Sequence, residues 1–161
     1  MTSDVFISTF KNIFEKTISI SVLSEKKRPF KDKEHLVEIF LSQFENLNLY
    51  EKKIIIKNHP DLGNKLKINN DLTEMSKNEQ KNAGLDNCTQ EEYVFFDKMN
   101  DDFKLKFHIP FIFAVKEANK ITIINEFKRR LKNNNIENEL QESIKQVKKI
   151  AFFRLSELID E

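Results

Sequence analysis

Residues 137–161 read ENELQESIKQVKKIAFFRLSELIDE, and Leu140, Ile144, Val147, Ala151, Leu155 and Leu158 recur in them at steps of three and four. At about 100° per residue these side chains fall on one stripe, so the segment is predicted to be a long amphipathic helix. Arg154 falls inside that stripe, beside Ala151 and Leu158. A guanidinium on a buried face must pair with another group or line a pocket.

The same period recurs upstream. Phe6, Phe10, Ile13 and Phe14 predict a first helix, the charged stretch from Glu25 to Glu34 around Pro29 a loop, and Leu36, Val37, Phe40, Phe44 and Leu47 a second helix. A short helix from Glu51 to Asn58 carries Ile54, Ile55 and Ile56. It is expected to stop at His59-Pro60, because proline pushes the preceding residue out of helical space. Residues 61–73 show no period and read as a long loop. Ser76-Lys77-Asn78-Glu79 has the pattern of a capping box, with Gly84 as the stop of the helix it opens. Thr89-Gln90-Glu91-Glu92 repeats the pattern before a stripe of Tyr93, Phe96, Asn100, Phe103 and Phe107. Pro110 breaks the chain, an apolar run spans Ile109 to Val115, and Ile123, Ile124, Phe127 and Leu131 mark another helix. Two glycines and three prolines are few for the turns of a sheet. The expectation is an all-α, single-domain helical bundle over residues 1–161.

Composition narrows the function. Lys and Arg number 27 against 26 Asp and Glu, a net charge of +1, so there is no basic field for nucleic acid. Cys88 is the single cysteine and the three histidines are dispersed, which gives neither a disulfide nor metal-ligand spacing. No run approaches the ~18 apolar residues of a membrane span. The N-terminal residues lack the unbroken apolar core of a signal peptide, and the C-terminus is not a peroxisomal address. A cytoplasmic protein with no membrane or nucleic-acid partner is expected.

Both glycines, two of the three prolines and two of the three histidines lie in three short stretches: Asn58-His59-Pro60-Asp61-Leu62-Gly63, residues 76–85 (SKNEQKNAGL), and Phe107-His108-Ile109-Pro110-Phe111-Ile112. In a helical protein, such loops are where a site is expected. Together with the K-I-x-x-x-R-L of the last helix, their order and spacing resemble the OHCU decarboxylase family along nearly the whole chain. OHCU is 2-oxo-4-hydroxy-4-carboxy-5-ureidoimidazoline. The resemblance implies an all-helical, dimeric, cofactor-free decarboxylase that converts OHCU to S-allantoin in urate breakdown. It implies His59 as the catalytic histidine, followed by Pro60, with Ser76, Glu79 and Gln80 as the polar residues that hold the substrate, Phe111 and Ile112 lining the pocket, and Arg154 as the arginine of the terminal helix. One position departs. The family's usual glycine is here His108, which is strained if the backbone there needs a positive φ, or narrows the pocket if glycine clears space for substrate.

The chemistry fits few residues. OHCU carries hydroxyl and carboxylate on one ring carbon beside a C=N bond, and that bond can accept the electrons released with CO2. What remains is proton handling near neutrality, which suits a histidine. His59 then moves the hydroxyl proton or protonates the ring carbon, and Glu79 orients His59 or accepts from the ureido group. Gln80 offers both donor and acceptor to that group. Arg154 serves better on a ring or ureido carbonyl than on the carboxylate, whose charge is lost as CO2 leaves. Structural readings stand beside these: Ser76 and Glu79 as a helix cap, Gly63 and Gly84 as turn glycines, Arg154 as an ion-pair partner, and Asn100 as a backbone or dimer contact. A related acid as substrate, or a non-catalytic helical module that binds protein, are the alternative functions.

Overall fold

In the computed structural model, described over residues 1–64 and 72–160, eight helices and no strands are found among the described residues. They are α1 (Ser3–Phe10), α2 (Ile18–Glu25), α3 (Lys33–Glu45), α4 (Leu49–Lys57), α5 (Glu74–Asn82), α6 (Gln90–Phe107), α7 (Lys120–Leu131) and α8 (Ile136–Asp160). The all-helical expectation is met. Part of the long loop read over residues 61–73 lies outside the described residues.

Seven of the helix starts are fixed by a side-chain cap, which satisfies amide groups that a helix leaves unpaired. Asn48 with Glu51 and Thr89 with Glu92 form full capping boxes, the second as predicted. At α5 the cap lies elsewhere: Thr73, not Ser76, accepts from the third helical amide. Ser76 is thereby released from capping and its hydroxyl turns inward. The first apolar stripe also breaks. Chain direction changes after Phe10, so Ile13 and Phe14 are buried from a turn, and the unpredicted α2 follows. The short Ser-rich α2 carries too weak a stripe to announce itself.

The helix α1 packs on α2, α2 on α3, α3 and α4 on α8, and α6 on α7. Phenylalanines fill the two ends of the core. Phe6, Phe10 and Phe40 cluster at one, while Phe103, Phe107, Phe111 and Phe127 meet at the other, with Phe111 and Phe127 stacked at 3.7 Å. The apolar run after Pro110 is neither helix nor ladder, so its buried backbone needs side-chain partners. Arg130, 1% exposed, donates to the Ile112 carbonyl, pairs with Glu139 and lies 4.7 Å over the Phe111 ring. Gln146 Oε1 accepts from the Ala114 amide at 2.9 Å. Two helices therefore hold this segment extended beside the site.

The loop after α4 is pinned in the same way. Gln80 accepts from the Gly63 amide at 3.0 Å and donates to the Asp61 carbonyl at 3.2 Å, and Asn100 donates to the Leu62 carbonyl at 2.8 Å. Asn100 thus has the backbone partner that its place in an apolar stripe requires. Gly63 has φ +70°, and a Cβ there would stand 2.6 Å from Phe96 Cγ. Gly84, at φ +84°, has ordinary space around it. Gly63→Ala is expected to cost about 2–4 kcal/mol, combining left-handed backbone strain with overpacking, and Gly84→Ala only about 1–2 kcal/mol. Urea denaturation of the two variants checks this, and equal losses would contradict the packing argument.

Candidate active site

His59 follows the C-cap of α4, and its amide bonds the Ile56 carbonyl at 3.1 Å. Pro60 then turns the chain away, which leaves the imidazole standing at the helix end. The side chain is 8% exposed, and its Nε2 is buried with no hydrogen-bond partner. Burial, reinforced by the Arg154 charge and opposed by Glu15, lowers the His59 pKa from the ordinary 6.5 to about 3. The ring is therefore neutral at pH 7.

Beside it lies a charged network. Arg154, 3% exposed on the inner face of α8, donates through Nε to Glu79 Oε1 at 2.7 Å, and through its other nitrogens to the Asn12 carbonyl at 2.8 Å and Ser76 Oγ at 3.0 Å. It also pairs with Glu15 Oε2 at 3.0 Å. Glu15 is fully buried and accepts from Ser76 Oγ at 2.6 Å and Thr73 Oγ1 at 3.0 Å. Burial pushes the Glu15 carboxyl upward, but Arg154 and the two hydroxyls outweigh it and hold the pKa below the usual 4.5. Glu79 is half-buried, and burial raises its pKa in spite of Arg154.

The predicted residues converge. A niche of about 30 Å³, large enough for a water or two, is walled by His59, Pro60, Ser76, Glu79, Gln80, Phe111, Ile112 and Arg154. It adjoins a cavity of about 460 Å³, within the range of small-molecule sites, and Glu79, Val115, Ile150 and Arg154 line both. Gln80 spends its carbonyl and one N–H on the loop, so a second N–H is what remains for a ligand. Glu79 is bonded to Arg154, not to His59. His108 takes the first of its two alternatives: it caps α6 in the left-handed region at φ 61°, is exposed, and does not line the niche or the larger cavity.

Glu15 and Thr73 were not legible as site residues. Glu15 sits in an irregular turn with no period to mark it, and its one signal is position, directly after buried Phe14. Arg130 gives no signal in the sequence either, since apolar residues alone mark the stripe of α7. Among the described residues no group of His, Cys, Asp and Glu could hold a metal ion.

The helical scaffold sets a neutral histidine, unpartnered at Nε2, in a niche that adjoins a cavity of small-molecule size, which makes a candidate acid–base site. The family model for OHCU decarboxylase matches residues 1–156. The chain belongs to the OHCU decarboxylase family. It is 34% identical over 158 residues to the 2-oxo-4-hydroxy-4-carboxy-5-ureidoimidazoline decarboxylase of Xenopus laevis, covering 98% of this chain and 90% of that protein. It is also 33% identical over 161 residues to a uric acid degradation bifunctional protein of a Bacillus species. The match takes in the whole of this chain but only 31% of that longer protein. A solved structure of OHCU decarboxylase in the presence of (S)-allantoin superposes with a TM-score of 0.77 at 17% identity, covering all of both chains.

Proposed function

We propose that the chain decarboxylates OHCU to S-allantoin with His59 as its acid–base group. The observation that carries this reading is the His59 imidazole, buried, neutral and unpaired at Nε2 in a niche that adjoins a ligand-sized cavity. A buried polar atom is costly to leave unpaired, so a ligand that bonds it recovers that cost. The arrival of an anionic substrate also raises the His59 pKa towards the range where it can accept and return a proton.

In the reaction the bond from the ring carbon to the carboxylate breaks and CO2 leaves. The electron pair moves into the adjacent C=N bond, whose nitrogen takes a proton. The hydroxyl proton departs as its oxygen becomes a carbonyl, and the neighbouring carbon receives a proton on one face. The sum is one proton taken up per turnover. His59 moves the proton, and the one-sided niche sets the face. The second Gln80 N–H donates to a ring or ureido carbonyl. Phe111 and Ile112 close the opposite wall, and Pro60 holds His59 at its angle. Arg154, largely committed to Glu15, Glu79 and Asn12, acts by fixing the wall, while its remaining N–H serves a substrate oxygen.

A single helical domain suffices for this site, with no cofactor. A homodimer in the cytoplasm completes the proposal; no helix among the described residues is long and apolar enough to cross a membrane. OHCU generated in the cuvette from urate, followed by circular dichroism, provides the test. Rapid appearance of one allantoin enantiomer is expected. Racemic product at the spontaneous rate would reject the assignment.

A further inference from the structure

Decarboxylation consumes one proton per turnover, so His59 needs a supply of protons while substrate occupies the niche that it lines. Among the described residues, His59 is the one that lines both the niche and a second cleft, of about 380 Å³, on its other flank. Lys57 of α4, Asp61, Lys104 of α6 and exposed His108 line that cleft with it. Asp61, 4% exposed, is tied to Lys104 at 2.7 Å, so the cleft has a fixed polar wall. His108 is fixed as well: its φ of 61° and the 2.8 Å bond from its amide to the Lys104 carbonyl set its backbone at the rim.

Resting on the decarboxylase reading above, we propose that this cleft is the solvent-side proton route to His59, with His108 as the relay at its mouth. An imidazole can take a proton from water on one nitrogen and release one from the other. The charged groups facing His59 divide between its two flanks. Glu15, Glu79 and Arg154 stand on the niche side, and Lys57, Asp61 and Lys104 on the cleft side. His108 thereby assists catalysis through His59 without touching substrate.

His108→Gly and His108→Asn both suit a positive φ, so folding does not confound the test. Both are expected to lower kcat roughly tenfold to a hundredfold, at the low end of what a positioned acid–base group contributes. KM is expected to hold, the product to remain one enantiomer, the solvent deuterium effect on kcat to rise, and added imidazole to restore the rate. If the native protein makes one enantiomer but both variants keep its kcat, pH profile and solvent isotope effect, the relay is wrong. If the native protein itself makes no chiral allantoin, the decarboxylase reading fails first.

Discussion

Arg154→Ala is expected to abolish turnover and to lower folding stability by about 3–5 kcal/mol, the loss typical of breaking one side of a buried charge network. Arg154 is 3% exposed and joins three stretches of chain: the turn at Asn12 and Glu15, helix α5 at Ser76 and Glu79, and α8 itself. Without the guanidinium, Glu15 is left fully buried with only hydroxyls and an amide to hold its charge. Arg154→Lys is expected to recover little, because an ammonium cannot reproduce the planar fork that serves four acceptors. Urea denaturation and steady-state turnover of both variants measure the effect. A stable, active lysine variant would show that charge alone suffices and that the hydrogen-bond geometry is incidental.

His59→Ala is expected to lower kcat by about 10²–10⁴ and to let the intermediate be protonated from either face, giving racemic allantoin. Its stability at pH 7 should change far less than that of Arg154→Ala, because Nε2 has no bond to lose. A pH dependence follows with a definite sign. The pKa of His59 is about 3 in the folded chain against 6.5 when unfolded, so below pH 6.5 the unfolded chain binds the extra proton. Native stability therefore falls as pH drops from 6.5 towards 3. Glu15, held below 4.5, adds to that loss at the acid end, whereas Glu79, raised above 4.5, opposes it. The alanine variant lacks the His59 component and should lose less stability between pH 6.5 and 4.5. Parallel stability curves for the two proteins would mean that the imidazole is not buried neutral.

The sequence carried most of the fold because long stripes such as Leu140 to Leu158 leave one solution for burying their apolar face. It failed where geometry is irregular. Ile13 and Phe14 keep a helical spacing with Phe10, yet the chain turns between them, since spacing alone cannot register a turn that keeps its residues buried. Ser76 and Glu79 satisfy the pattern of a helix cap, but Thr73 supplies that cap, and the two side chains turn to Arg154 instead. His59, Gln80 and Arg154 stood out as polar residues at Pro breaks or on buried stripes. Glu15 did not, because its role arises entirely from contacts with residues 58 to 139 positions away.

The bond from Arg154 to the Asn12 carbonyl spans 142 residues, nearly the length of the chain. The wall of the candidate site is in this sense a clasp between two distant stretches of the chain. Loop closure of that length is among the costliest contacts a folding chain makes. A nascent, clipped or partly melted copy has helices but no clasp, and with no clasp it has no wall beside His59. On the proposed function, activity is expected of the whole fold and not of a fragment that lacks either stretch.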